Sequence, residues 1–255
     1  MTISVDGAPL MALLLASVRV VAWIAVVPPF STRGIPAMAK VILALGLSLT
    51  VAPTLAGQAL PSTAPDLVLA VVAQALIGLG MGFVTMLLFS VVATAGALVD
   101  LFGGFALAAA FDPLSMNLNS VFGRFHQMLA TALLLVSGGH LLVIGGLLST
   151  FELLPLAGWP DLDGWPDVLV TAFSMFFTIA VQIALPMIAV LFVADLALAL
   201  LTKVAPQLNA LNVMFPAKIG LTLLVLGMSF PVLPDAIERV VDLANEAMAA
   251  MAESR

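Results

Sequence analysis

Long runs of apolar residues constrain this chain more than any other feature of its sequence. The chain has 255 residues, of which 63% are hydrophobic and only 9% are charged. The runs show no alternation of the kind that marks a membrane β-barrel, and a backbone in lipid has to satisfy its hydrogen bonds internally, as a helix does. With about 20 apolar residues needed per crossing, we expect an all-α integral membrane protein with about six apolar helical segments. The segments are Ala8–Phe30, Val41–Ala56, Leu67–Phe111, Met128–Phe151, Val168–Leu201 and Ile219–Leu233.

Two of these segments are long for a single crossing. Leu67–Phe111 is interrupted by Asp100, and Val168–Leu201 contains both Pro186 and Asp195. Proline removes a helix hydrogen bond and bends the helix. Each long segment is therefore expected to be a kinked helix or a helical hairpin.

The cations lie in alternate connections between the apolar segments. Arg33 and Lys40 are in the first connection, Arg124 in the third, and Lys203 and Lys218 in the fifth. Cytoplasmic loops carry an excess of Lys and Arg. Six crossings would then leave both termini outside the cytoplasm, whereas one more hairpin would reverse the C-terminus.

The charge balance and the missing motifs exclude several classes of function. The net charge is −6 with eight Lys and Arg, so the basic surface that binds nucleic acid is absent. There is no cysteine, and the chain has no H-E-x-x-H, G-x-S-x-G or Walker motif. We expect neither an enzyme nor a bound cofactor or metal.

A short duplication stands in the fourth connection, where Gly158-Trp159-Pro160-Asp161 recurs as Gly164-Trp165-Pro166-Asp167. Tryptophan is typical of the membrane–water interface. The spacing of the acids does not fit a calcium loop. The duplication is therefore interpreted as two turns with interfacial tryptophans.

The end of the chain differs from the rest. In 235–255, apolar residues recur at helical spacing between acidic ones, which predicts an amphipathic C-terminal helix. Basic helices, not acidic ones, are attracted to anionic lipid, so this helix is expected either to pack on a protein partner or to fray. Residues 1–255 are otherwise expected to form a single membrane-embedded domain.

Polar residues inside the apolar segments have two interpretations. Arg19 lies near the middle of the first segment, where a cation costs about 2.5 to 3.5 kcal/mol to insert. Gln74, Asp100 and Asp195 raise the same question. They could form an ion path, as in a transporter, or hydrogen bonds and ion pairs between helices. We favour the second interpretation for each residue taken singly.

Small residues are dense in the third segment. Gly78 and Gly82 form a GxxxG motif, and Gly96 follows. Such residues let helices approach closely. They indicate packing, within the chain or between chains, and not chemistry.

Taken in order, several strings of residues resemble the FliR family, the flagellar biosynthesis proteins of the type III export gate, and more distantly the corresponding injectisome proteins. Seven positions within the strings are candidate assembly or packing residues: Arg19, Gln74, Gly78, Gly82, Gly96, Pro206 and Asn209. The strings are Val18-Arg19-Val20 with Pro28 to Pro36, Gln74 to Phe83, Ala95 to Gly103, Phe111-Asp112-Pro113, Gly139-His140-Leu141 to Pro155, and Ala205 to Asn209 with Phe215-Pro216.

The resemblance implies a place in a larger assembly. It implies association with the related P and Q export-gate subunits, with the B and A components of the export apparatus and with unfolded export substrates. It also implies a location in membrane lipid, in the bacterial inner membrane at the flagellar basal body, and no chemical reaction in this chain. In the family, bent hairpins are raised out of the bilayer plane, which puts the six-crossing topology in doubt.

The resemblance also implies a plug. In the family, the segment matching Phe105 to Asn119 closes the channel and moves when substrate passes. Here, Asp112-Pro113 disfavours helix at Asp112, and the neighbouring residues combine apolar bulk with polar groups that suit a loop. The candidate plug residues are Phe111, Asp112, Pro113, Leu114, Met116, Asn117, Leu118 and Asn119.

Two other functions are weighed against an export gate. A secondary transporter would place Arg19, Asp100 and Asp195 on an ion path, but no inverted repeat is visible. A structural scaffold would hold the complex together without lining a channel. A substrate crosslinked to the plug segment would distinguish the gate from the scaffold.

Overall fold

The computed structural model describes residues 7–32, 34–105, 120–157, 159–205 and 210–253, with the backbone alone for 210–215. All regular secondary structure in these ranges is helical, which confirms the all-α prediction. The helices are α1 (Ala8–Val26), α2 (Ala37–Leu55), α3 (Ala64–Gly103), α4 (Val121–Val136), α5 (Gly139–Leu153), α6 (Trp165–Val204), α7 (Ala210–Leu226) and α8 (Leu233–Glu253). A 3-10 turn, Gly227–Ser229, follows α7.

The helices have the length and composition of membrane spans. Within the described ranges, α1, α2, α3 and α6 are each long and apolar enough to cross a bilayer. Two further pairs qualify only when counted together across a bend, α4 with α5 and the end of α7 with α8, which brings the number of candidate spans to as many as six. The expected membrane-embedded helical architecture is confirmed, while the orientation of the termini stays a prediction.

Each of the two long segments forms one helix and not a hairpin, and a sharp bend lies in another segment. The two long segments form α3 and α6, each assigned as one helix of 40 residues, and α6 runs through Pro186. The expected segment Met128–Phe151 instead belongs to two helices separated by Ser137 and Gly138. Gly138 has a φ of +76°, a left-handed conformation that glycine adopts without steric cost, and this allows the chain to change direction inside an apolar run.

Side-chain caps mark the starts of two helices. Thr63 precedes α3, where its hydroxyl donates to Asp66 Oδ2 and accepts from the Asp66 amide. Ser120 precedes α4, and its Oγ accepts from the Gly123 amide at 2.7 Å. A capped first turn satisfies backbone donors that the helix itself cannot, so both starts are set by local sequence.

The chain divides into two compact units that are not continuous in sequence. The first unit comprises residues 1–88, 138–173 and 241–255, and the second comprises 89–137 and 174–240. In the first unit, α1 packs along α2. Its core includes the fully buried side chains of Leu15, Trp23, Met81 and Leu147. The single-domain description of residues 1–255 stays a prediction.

The last part of α8 packs within the first unit. Val241, Ala244, Met248 and Met251 are buried, whereas the acidic side chains on the other face are exposed. The Trp165 indole N–H donates to the Met251 carbonyl oxygen at 3.1 Å. The apolar face that was expected to pack on a partner or fray is therefore covered by this chain in the first unit.

Candidate functional site

A buried arginine joins three helices of the first unit. Arg19 of α1 is fully buried, and its guanidinium makes three hydrogen bonds. Nε donates to Gln74 Oε1 at 2.7 Å, one terminal nitrogen to Thr150 Oγ1 at 3.3 Å, and the other to the Leu154 carbonyl oxygen at 2.9 Å. The guanidinium also lies 4.1 Å from the centroid of the Phe151 ring. We call these residues the Arg19 cluster.

In the Arg19 cluster, the buried cation is stabilised by neutral partners. Leu154 is the C-cap of α5, and the C-terminal end of a helix carries a partial negative charge. The Phe151 ring contributes a cation–π contact. The helix end and the ring therefore offset part of the cost of burying the charge.

Gln74 of α3 extends the cluster along the chain that leaves α5. Its amide nitrogen donates to the Leu156 carbonyl oxygen at 3.0 Å and to that of Pro155 at 3.5 Å. Arg19 and Gln74 together bind three consecutive carbonyl groups, those of the C-cap and of the two residues after it. The arrangement fixes the path by which the chain leaves α5.

Close backbone packing accompanies these bonds. A Cβ added at Gly78 would overlap the Arg19 carbonyl oxygen, and one at Gly82 would lie 3.4 Å from the Trp23 backbone. Both glycines of the GxxxG motif thus face α1 within the first unit. They allow α3 to come close enough to α1 for Gln74 to reach Arg19.

The second unit contains a buried carboxylate. Asp100 of α3 is 3% exposed. It accepts a short hydrogen bond from the Ser120 hydroxyl, and both of its oxygens accept from the Phe122 amide, at 3.1 and 3.2 Å. A carboxylate at the start of a helix is stabilised by the free N–H groups and the helix dipole. We call these three residues the Asp100 cluster.

The Asp100 cluster also rests on a close glycine contact. A Cβ at Gly96 would lie 2.5 Å from the Phe122 carbonyl oxygen, and one at Gly123 would lie 2.9 Å from the Ala93 carbonyl oxygen. Gly96 and Asp100 are four residues apart, so they share one face of α3. That face meets the first turn of α4.

Two further polar contacts lie in the second unit. His126 of α4 is buried between the Phe122 carbonyl oxygen, 2.9 Å from Nδ1, and Ser229 Oγ, 3.2 Å from Nε2. Lys218 of α7 forms an ion pair with Asp195 of α6 at 2.8 Å. Asp100 and Asp195 thus have separate structural partners among the described residues.

Much of the predicted site lies outside the described residues. This holds for the whole candidate plug from Phe111 to Asn119 and for Pro206 and Asn209. The remaining candidates, Arg19, Gln74, Gly78, Gly82 and Gly96, are all described. The structure brings Arg19, Gln74 and Gly78 together and places Gly82 one turn further along α3.

Sequence reasoning missed several partners of the buried charges. Thr150 and the carbonyl groups of residues 154–156 carry no distinguishing sequence signal. Ser120 did carry one, because a serine directly before an apolar run is a typical N-cap. Lys218 was assigned to a loop, but it lies inside α7.

Comparison with known proteins finds relatives that agree with one another. Residues 10–244 match the family described as Bacterial export proteins, family 1. The flagellar biosynthetic protein FliR of Escherichia coli is 36% identical over 198 residues, covering 78% of this chain and 76% of that protein. FliR of Bacillus subtilis is 27% identical over 240 residues, 93% of each chain. The surface presentation of antigens protein SpaR of Salmonella typhimurium is 28% identical over 219 residues, 83% of this chain and 81% of that protein.

The fold and its clusters define a class: a helical membrane protein whose buried charges hold helix ends in place. They do not by themselves distinguish one such protein from another. The sequence matches do, and the chain belongs to family 1 of the bacterial export proteins. The resemblance to FliR proteins is therefore confirmed.

Proposed function

We propose that this chain is a subunit of the flagellar type III protein export gate in the bacterial inner membrane, at the flagellar basal body. It forms part of the channel through which unfolded flagellar proteins are exported. The observation that carries the proposal is the match to FliR proteins along most of the chain. Flagellar use is preferred to injectisome use because FliR of E. coli is 36% identical against 28% for SpaR, and FliR of B. subtilis, although only 27% identical, matches 93% of this chain against 83% for SpaR.

The length of the apolar helices supports a place in an assembly. A 40-residue helix such as α6 is about 60 Å long, about twice the thickness of the hydrocarbon core. Large apolar side chains are exposed along it from Val170 to Leu200, a distance of about 45 Å. Lipid alone does not cover that length without extreme tilt. We assign the related P and Q subunits and the B and A components to the part of this apolar surface that lipid does not cover.

The composition of residues 111–119 supports a plug in this channel. Phe111, Leu114, Met116 and Leu118 provide apolar bulk that can exclude water and ions from a pore. Asp112, Asn117 and Asn119 suit a loop because their side chains hydrogen-bond nearby backbone. We therefore assign the plug to this segment.

The bonds of Arg19, Asp100 and Asp195 count against a transporter. Arg19 binds three neutral acceptors, Asp100 binds the start of α4, and Asp195 pairs with Lys218. An ion path needs groups that can exchange partners during transport. These three groups instead hold helices in place.

Deletion of Leu114 to Asn119 tests the plug. We expect the assembled complex to leak ions and motility to fall, because the channel loses its apolar seal. A Gly-Ser replacement of the same six residues keeps the chain length and should leak as well. An assembled, tight complex in motile cells would mean that the segment is a connector and would refute the plug.

A crosslinking experiment separates the gate from a scaffold. A photoreactive residue placed at Met116 should capture a substrate stalled during export. The matched position is Met38 on α2, which is exposed and should capture none. No capture at Met116 during active export would contradict a channel-lining role.

A further inference from the structure

An open cavity lies in the first unit at the start of α3. Its volume is about 340 Å³, and it is lined by the second and fourth connections and by the first turns of α3. The Leu156 amide donates to Gln58 Oε1 at 3.2 Å, which holds the two connections together. Along α3 the lining changes from polar, at Ser62 and Asp66, to apolar, at Leu69. Such a change is expected where a helix passes from water into lipid.

The polar part of the cavity is suited to a cation. Asp66 is exposed, and among the described residues its hydrogen bonds are with Thr63 alone. Trp159 also lines the cavity and is 56% exposed, and the face of an indole ring attracts cations. Neither the two connections nor α3 contains a lysine or arginine. The cation that would complement Asp66 therefore has to come from another molecule.

An exposed apolar stripe continues from the cavity along α3. Its members recur at intervals of three and four residues, so they share one face of the helix. They are Leu69, Val72, Leu76, Leu79 and Phe83. The stripe is about 21 Å long, which is shorter than the hydrocarbon core of about 30 Å. Lipid can therefore cover this stripe, in contrast to the exposed apolar length of α6.

We propose that the cavity binds the ammonium headgroup of an aminophospholipid, with one acyl chain of that lipid along the apolar stripe. The Asp66 carboxylate accepts hydrogen bonds from the ammonium, and the Trp159 ring makes a cation–π contact with it. The Ser62 hydroxyl is a donor for the lipid phosphate. The volume lies at the lower end of the range for ligand pockets, as expected for a headgroup and not a whole lipid. The site goes beyond the export function and does not depend on the plug.

Competition between two lipids tests the headgroup. The full chain in detergent is mixed with equal amounts of phosphatidylethanolamine and phosphatidylglycerol that carry the same acyl chains, and the bound lipids are counted by native mass spectrometry. We expect about fivefold more phosphatidylethanolamine to be retained, which corresponds to one favourable exposed ion pair. N-acetylated phosphatidylethanolamine lacks the positive charge and should be retained no better than phosphatidylglycerol. Equal retention of the first two lipids would overturn the inference.

Variants of the two recognition residues test the site itself. Asp66→Asn removes the charge but keeps an acceptor for Thr63, and it should lower the retention ratio to about one. Trp159→Leu should lower the ratio to about two, because only the cation–π contact is lost. Asp167→Asn is the control, since it removes an exposed charge in the first turn of α6 and should keep the wild-type ratio. A wild-type ratio in Asp66→Asn, or a lost preference in Asp167→Asn, would refute the site.

Photocrosslinking in the native membrane distinguishes a lipid from a protein on the stripe. A photoreactive residue at Leu69, which is 55% exposed, should crosslink to phospholipid. Adding Asp66→Asn should lower the share of phosphatidylethanolamine among the crosslinked lipids. Crosslinks to protein alone would mean that a neighbouring subunit covers the stripe, and they would overturn the lipid assignment.

Discussion

The Arg19 and Asp100 clusters each stabilise a buried charge, a cation in the first and an anion in the second. In the first unit, a buried cation binds carbonyl oxygens at the C-terminal end of α5. In the second unit, a buried anion binds the N–H group and N-cap at the start of α4. Each charge has the sign that its helix end favours. A membrane protein can therefore keep a buried charge without an opposite side-chain charge, provided that a helix end faces it.

The two clusters differ in what they hold. The Arg19 cluster ties α1, α3 and the chain leaving α5 into one core through groups that are fully or almost fully buried. The Asp100 cluster ties the end of α3 to the first turn of α4. The first arrangement joins three elements of one core, whereas the second fixes where a single helix begins. Substitutions should therefore lower stability more at the Arg19 cluster than at the Asp100 cluster.

The largest effect is expected from Arg19→Ala. It leaves Gln74 Oε1 and the Leu154 carbonyl unpaired and opens a cavity beside Phe151, for a loss of about 3 kcal/mol or more. The amount of assembled complex and its thermal midpoint should both fall. Arg239→Ala is the control, because Arg239 is exposed on α8 and should change stability by less than about 0.5 kcal/mol. Equal losses of stability in the two variants would contradict a stabilising role for the Arg19 cluster.

An intermediate effect is expected from substituting the glycines that pack against the backbone of each cluster. Gly78→Ala would press on the Arg19 carbonyl and Gly96→Ala on that of Phe122, each costing about 1 to 3 kcal/mol. Gly46→Ala is the control. It meets open space in α2 and should stabilise the helix by about 0.5 to 1 kcal/mol. The comparison is sharpened if Gly78→Ala lowers the thermal midpoint more than Gly96→Ala does; the reverse order would contradict it.

The smallest effect is expected from Lys218→Met. The Lys218–Asp195 pair is partly exposed, with 16% and 35% of the two side chains accessible. Hydrogen bonds between membrane helices contribute about 0.6 kcal/mol on average and about 1.7 at most. Thermal unfolding of the variant should show a loss in this range, with Lys203→Met, at an exposed position, as the control. Abolished ion movement with unchanged stability would favour the transporter.

Sequence alone predicted the all-α architecture because hydrocarbon permits few alternatives. It also singled out Arg19 and Gln74, since a polar side chain in an apolar run needs a partner. It could not supply the partners themselves, because the carbonyls of residues 154–156 look like any other backbone. The break at Gly138 was missed for a related reason: hydropathy measures how apolar a run is, and a glycine with positive φ leaves that measure unchanged.

The repeated Trp-Pro-Asp sequence, whose second copy begins α6, offers a built-in optical probe. Trp159 is 56% exposed, whereas the Trp165 indole is bonded to Met251 and its ring lies against Gly80. The third tryptophan, Trp23, is fully buried. Aqueous quenchers should therefore dim the emission of Trp159 most, and a Trp159→Phe variant should emit at shorter wavelength. Docking of another subunit over Trp159 would be visible as lost quenching, without any attached dye.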